Sequence, residues 1–175
     1  MRKNATLEKK MDDAIITLSK TFDPAANAKP VILHSVRVGL CLYNHGYDED
    51  IVLSGILHDI LEDTYTTHKH VEDEYGKTVA DIVNAVSFNR AIRDKIEQNE
   101  DMLLRCKQYG HKALIVKCAD MIDNMPFTAM VDNKKQDVLQ DVLGIKYSSF
   151  KNHAAEIVDE PIFRVYMDMY DDYFI

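Results

Sequence analysis

Two histidines and two aspartates stand where apolar helical stripes ought to continue. His34 falls among Val31, Val38, Cys41 and Leu42, which share one helix face by i, i+3, i+4 spacing. His58 and Asp59 interrupt the apolar run GILHDIL, and two adjacent polar side chains are costly to bury without partners. Asp120 lies inside ALIVKCADMIDNM, with Lys117 three residues before it and Asn124 four residues after. An isolated buried carboxylate takes up a proton, so Asp120 requires a cation or strong donors. One divalent metal answers all three demands, because two neutral imidazoles and two carboxylates cancel a 2+ charge. The mixed nitrogen and oxygen set suits manganese, iron or zinc better than calcium or magnesium. Four protein ligands on an octahedral ion keep positions open for water and a phosphate oxygen.

Glu62 and Asp63 follow four residues after His58 and Asp59, one turn further along the same two faces. The plain reading of this pair is an acidic helix end in solvent. A helix C-terminus is the wrong end of the dipole for acids, however, and that penalty favours a functional pair. Other polar groups have plainer readings. His45 and His153 read as surface residues, Lys117 as a side chain that could snorkel from its helix, and the Met-rich MDMYDDYF end as packing.

The elements that must carry these residues are all helical. Residues 5–20 form a first helix, with Leu7, Met11, Ala14, Ile15 and Leu18 at helical spacing. A loop over 21–29 leads to a second helix with Pro30 in its first turn, running to about His45 and stopping at Gly46. Asp48 or Asp50 caps a third that continues to about Asp63. After a turn at 64–67, Thr67 caps a short helix ending before Gly76, and residues 78–87 form the next. The polar stretch 89–100 reads as part loop and part helix, a solvated segment whose arginines could cover a pocket mouth. Helices follow over 101–109 and 112–125, the latter stopped by Pro126. Asp132–Asn133 open a helix reaching past Asn152, and Pro161 begins the last one. No segment alternates with period two, so an all-α bundle of roughly eight helices and no sheet is expected.

The chain has 175 residues, which fits one domain, 1–175, with a motif core over 28–128 and a helical extension over 130–175. Apolar residues make up 46%, as in soluble globular proteins rather than disordered ones. A net charge of −8 repels nucleic-acid phosphates and argues against a DNA- or RNA-coating role. Cys41, Cys106 and Cys118 form no CxxC pair and read as reduced thiols. The opening MRKNATLEKKMDD is charged and has no apolar signal region, and no apolar run nears the ~18 residues of a membrane span. A cytoplasmic location is expected.

The pattern H…HD…D, formed by His34, His58-Asp59 and Asp120 at separations of 24 (58−34) and 61 (120−59), resembles the signature of the HD superfamily. ILHDILEDT, followed by a Tyr-Gly, a Val-Ala and then VKCADMIDNM, is similar to the hydrolase domain of the RelA/SpoT family and its small single-domain relatives. Those stretches read roughly LLHDVVEDT, FG..VA and IKLADRLHNM in that family. The resemblance covers about residues 28–128 and is densest at 56–64 and 115–125. It implies an HD-domain fold and metal ligation by His34, His58, Asp59 and Asp120, with manganese the usual ion and iron, zinc, cobalt or nickel also suited. It assigns Glu62 and Asp63 to positioning and activating the attacking water. Lys117 and Asn124 match polar positions beside the last ligand that hold substrate or the metal-site helix. Lys117, Arg37, Arg90 and Lys95 are the basic residues, in that order, expected to meet charge on the phosphoryl oxygens. Some HD proteins hold a second metal through further histidines, a role open here to His68, His70 and His111.

The implied activity is metal-dependent hydrolysis of a phosphate ester in a small nucleotide-like substrate, of the guanosine tetraphosphate pyrophosphohydrolase type. DPAANAKPVILHS lacks the Arg-Lys pair that such members usually carry before the first histidine. AVSFNR stands in place of GVTKL, and Met121 replaces the arginine after the last aspartate. A nucleoside 5′-monophosphatase and a catalytically silent, metal-bound ligand sensor therefore remain as alternatives. Retention of both Glu62 and Asp63 speaks against the sensor. The expected partner is a small phosphorylated substrate, with no nucleic-acid polymer and no membrane. A homo-oligomer is left open by the long helix around 133–155 and the last helix.

Overall fold

Polar side chains next to apolar periodic runs set most helix starts. In the computed structural model, which describes residues 4–23, 30–129 and 136–174, α1 spans Ala5–Thr21 and Asn4 caps it by accepting from the Leu7 amide at 3.2 Å. α2 spans Val31–Asn44. Pro30 is its cap rather than a first-turn residue, and its carbonyl accepts from His34 N at 2.9 Å. Asp48, one of the two expected caps, accepts from Ile51 N at 3.0 Å and starts α3, Glu49–Leu57. Among the described residues there are ten α-helices and one 3-10 turn, and no strand.

The chain divides into two compact units at Ser87/Phe88. In the first, α2 packs on α3, while α3 also meets α1 and α6. The single long third helix expected over 48–63 is two helices. α3 ends at Leu57, His58 and Asp59 form a turn, and α4 covers Ile60–Asp63. α5 (His68–Tyr75) is capped by Thr67 as expected, and Gly76, at φ +88°, turns the chain into α6 (Lys77–Val86). Residues 51–57 are buried throughout. A helix without a polar side has no solvent face, so α3 forms the centre of this unit.

Two glycines let α2 and α3 approach. A Cβ on Gly39 would run into Ile56 Cγ1, and one on Gly55 into Leu42 Cδ1. Their missing side chains bring together the backbones that carry His34 and His58.

In the second unit, α7 spans Lys95–Tyr109, α8 His111–Ala129, α9 Gln136–His153 and α10 Pro161–Phe174, with a 3-10 turn at Ala155–Ile157. Asp94 accepts from Ile96 N at 3.0 Å and Glu97 N at 2.9 Å. That cap draws the second half of the 89–100 stretch into the helix expected only from 101. Pro126 does not stop α8; it lies inside, and the helix runs to Ala129. Proline removes one backbone donor, but the buried turns over 113–121 and buried Met125 already hold the axis, so the loss is deferred to the final turn. The expected helix start at Asp132–Asn133 lies outside the described residues. His153, expected at the surface, is half-buried: its Nε2 sits 2.8 Å from Glu100 Oε1, and its Nδ1 donates to Ser149 O at 2.9 Å.

Candidate functional site

The first unit assembles three of the four expected ligands. His34 is 0% exposed and His58 is 3% exposed, and their Nε2 atoms lie 3.1 Å apart with the rings edge to face. His58 Nδ1 is 2.8 Å from the Gly55 carbonyl oxygen. A carbonyl can only accept, so Nδ1 carries the proton and Nε2 presents a lone pair. Asp59 Oδ1 is 3.2 Å from that same Nε2, and its Oδ2 is 3.8 Å from His34 Nε2. Two imidazole nitrogens and a carboxylate thus converge on one buried spot. A bare lone pair facing a carboxylate at 3.2 Å is repulsive unless a proton on His34 or a cation lies between them. A divalent ion would satisfy all three groups at once, and the donor set fits one.

Local backbone produces this convergence. Neighbouring residues of a regular helix point about 100° apart. The break at His58–Asp59 frees the pair from that constraint, with Asp59 at φ −90°, ψ −3° as the N-cap of α4. Its carbonyl accepts from Glu62 N at 3.1 Å and Asp63 N at 2.9 Å. Glu62 and Asp63 therefore sit in the first turn of a new helix, and both are partly buried. α4 is a single turn, Ile60–Asp63, so Glu62 and Asp63 belong to both of its ends and the helix dipole neither penalises nor favours them.

The second unit prepares the fourth. Asp120 is buried in α8, accepting from Lys117 Nζ at 2.7 Å on Oδ2 and from Asn124 Nδ2 at 2.6 Å on Oδ1. The i−3 and i+4 partners expected from spacing are thus both engaged. Lys117 is 7% exposed, so it is held inward rather than snorkelling. Burial pushes the Tyr147 hydroxyl pKa up, and the charge of Asp120 adds to the rise.

The other expected residues are exposed or partly exposed. Arg37, on α2, and Arg90, in the loop before α7, are exposed, and so is Lys95, whose Nζ donates to Gln98 Oε1 at 3.0 Å. His68 lies 2.9 Å from Asp81 Oδ1 and His111 lies 2.7 Å from Glu160 Oε1, while His70 is exposed. The Gly55 carbonyl, which sets the His58 tautomer, was not singled out from sequence; its signal is its position three residues before a buried histidine. Lys146, whose Nζ lies 5.6 Å from the Phe88 ring centre, carried no signal in the sequence at all.

An HD domain family model matches residues 23–154. The chain belongs to the HD domain family. A relative from Aquifex aeolicus, a guanosine-3′,5′-bis(diphosphate) 3′-pyrophosphohydrolase, is 32% identical over 99 residues, 55% of this HD domain chain and 14% of the relative. The Danio rerio guanosine-3′,5′-bis(diphosphate) 3′-pyrophosphohydrolase MESH1 is 33% identical over 98 residues, covering 55% of this chain and 54% of its own. The bifunctional (p)ppGpp synthase/hydrolase SpoT of Escherichia coli is 28% identical over 126 residues, 69% of this chain and 18% of the relative. The HD domain chain thus spans from about a seventh to about half of the length of these relatives. Among solved structures, a metazoan ortholog of SpoT that hydrolyses ppGpp superposes with a TM-score of 0.71 at 18% identity, over 98% of this chain and 97% of the other. The Listeria monocytogenes protein lmo0812 gives 0.70 at 22% identity, over 81% and 93%. Both establish the all-helical HD fold. Among the described residues, no helix is long and apolar enough to cross a membrane.

Proposed function

We propose that this chain, as one HD-type domain over residues 1–175, is a cytoplasmic metal-dependent phosphohydrolase. Its substrate is a small nucleotide of the guanosine 3′,5′-bis(diphosphate) type, from which it removes the 3′-pyrophosphate. The observation that carries the reading is the buried meeting of His34 Nε2, His58 Nε2 and Asp59, whose lone pairs call for a cation. The names of the relatives supply the substrate class. His34, His58, Asp59 and Asp120 would hold one divalent transition ion, manganese by resemblance. When bound, such an ion lowers the pKa of water and polarises a phosphoryl oxygen.

The chain's own residues do the rest. Glu62 and Asp63, one turn beyond Asp59, orient the attacking water and accept its proton. Lys117 and Asn124 hold the Asp120 carboxylate in one orientation, and Lys117 faces the substrate phosphate. Arg37 and Arg90 are the exposed cations assigned to draw the anion in. The missing Arg-Lys pair before His34 favours a second reading, a nucleoside 5′-monophosphatase. Phosphate and pyrophosphate release from guanosine 3′,5′-bis(diphosphate) and from nucleoside 5′-monophosphates, with manganese, separates the two. Loss of the bis(diphosphate) activity in Glu62→Gln and Asp63→Asn is expected. Full activity in both variants would remove the assignment.

A further inference from the structure

Within the first unit, α6 lies across the break that carries His58 and Asp59. It packs against α3 before the turn and against α4 after it. In an unbroken helix the His58 carbonyl would accept from the amide of residue 62. Here Glu62 N and Asp63 N both donate to the Asp59 carbonyl, at 3.1 and 2.9 Å, so the ladder changes register at the turn. The His58 carbonyl meets a donor from another helix: Ser87 Oγ, at the C-cap of α6, lies 3.4 Å from it.

The same hydroxyl lies 2.7 Å from the Val83 carbonyl oxygen, which also accepts from Ser87 N at 3.1 Å. A hydroxyl has one proton and can rotate it. Val83 O keeps the Ser87 amide whichever way the hydroxyl turns, so giving the proton to His58 O leaves neither carbonyl without a donor. Ser87 is buried, where a hydrogen bond is stronger than in water. The oxygen it reaches belongs to the planar peptide joining His58 to Asp59. Holding that oxygen holds the plane, and with it the direction in which the Asp59 side chain leaves the turn.

We propose that Ser87 is a positioning residue for the metal centre. By fixing the His58–Asp59 peptide plane, it sets the angle at which His58 Nε2 and Asp59 Oδ1, 3.2 Å apart, meet a divalent ion. This deepens the phosphohydrolase reading and rests on its metal centre. Ser87 acts through the two ligands and takes no part in bond cleavage.

The test compares the full chain, stripped with a chelator, with Ser87→Ala and Ser87→Thr. Val79→Ala is the control, because Val79 is buried in the same helix two turns earlier and its truncation costs stability without removing the hydroxyl. Ser87→Ala is expected to weaken manganese binding about tenfold, the lower end of the usual effect of removing a group that orients metal ligands. Its cobalt-loaded form should show an altered visible absorption spectrum, which reports ligand geometry. Ser87→Thr restores both, and Val79→Ala stays within about twofold of the parent. Parental affinity and spectrum in Ser87→Ala overturn the proposal, and so does an equal loss of affinity in Val79→Ala.

A second readout needs no metal: exchange of backbone amide protons in the stripped chain, followed by NMR. The Glu62 and Asp63 amides, both held by Asp59 O, are compared with the Val52 amide of α3, held by Asp48 O at 3.0 Å. In Ser87→Ala the first two should exchange up to about tenfold faster relative to Val52, as loss of one hydrogen bond implies. In Val79→Ala the ratio stays as in the parent. That result with no metal bound by the parent would sink the metal centre and leave Ser87 as the brace of the turn. An unchanged ratio in Ser87→Ala overturns the brace itself.

Discussion

His34 and His58 are 24 positions apart in sequence, yet their Nε2 atoms lie 3.1 Å apart in a place closed to solvent. The His58 tautomer is set from behind by the Gly55 carbonyl at 2.8 Å, so its lone pair faces forward. A buried pair arranged this way serves either as a proton-sharing couple or as two corners of a metal site. Asp59, 3.2 Å from the same nitrogen, adds negative charge and tips the balance towards a cation.

Metal uptake follows directly. Protein stripped with a chelator and dialysed against manganese is expected to take up about one ion per chain. A ligand at 100 times its dissociation constant adds about 2.7 kcal/mol, which raises Tm by about 5–10 °C for a chain of this size. His58→Ala and His34→Ala should lose both effects. Calorimetry and elemental analysis measure this, and an unchanged Tm with no bound ion would remove the centre.

Helix spacing controls the centre from a distance. A methyl group at position 39 would collide with Ile56 Cγ1, a side chain with no exposure and little room to yield. Gly39→Ala is expected to cost about 1–3 kcal/mol by overpacking. It should also weaken manganese binding at least about tenfold, because α2 and α3 carry one histidine each. Gly55→Ala meets only the far end of Leu42 and should be milder. Denaturant unfolding and metal titration of the two variants decide this. A Gly39→Ala chain that is destabilised but binds manganese normally would show that the separation of α2 and α3 does not set the ligand geometry.

For the water-handling acids, the expected outcome is a rate effect without a binding effect. Glu62→Gln and Asp63→Asn should each lower kcat by about 10²–10⁴, the usual range for general acid–base groups, with manganese affinity and helical content retained. A loss of metal binding in either would reassign that residue from proton transfer to ligation.

Much of this was legible in the sequence, because buried polar residues on apolar periodic stripes are rare and expensive. His34, His58-Asp59 and Asp120 stand out for that reason, and Lys117 and Asn124 stand at the i−3 and i+4 positions from which they reach Asp120. What failed was backbone detail. GILHDIL shows an unbroken helical pattern, and nothing in its composition marks the turn at His58–Asp59. Pro126 misled in the opposite sense, since packing of the preceding turns outweighs the loss of one donor. Lys146 lies 58 residues beyond Phe88 (146−88), and only the folded second unit brings them together.

Cys106 is fully buried in α7. Burial pushes its thiol pKa up to about 12, with Lys117 and Arg105 pulling more weakly the other way. A group whose pKa is raised on folding stabilises the fold fully below its unfolded value and loses that contribution as pH rises. Between about pH 8.5, where an unfolded cysteine titrates, and about pH 12, the unfolded chain gives up a proton that the native chain keeps. Going from pH 7.5 to pH 10 should therefore cost the parent up to about 2 kcal/mol through this residue. Cys106→Ala should lack that part of the loss, although its baseline stability is lower because the core has lost an atom. Urea unfolding of both proteins at the two pH values measures the difference. Native Cys106 should also resist iodoacetamide at pH 8.5 while the partly exposed Cys41 reacts. Equal pH slopes in the two proteins, or rapid alkylation of Cys106, would mean that α7 opens far more readily than its burial implies.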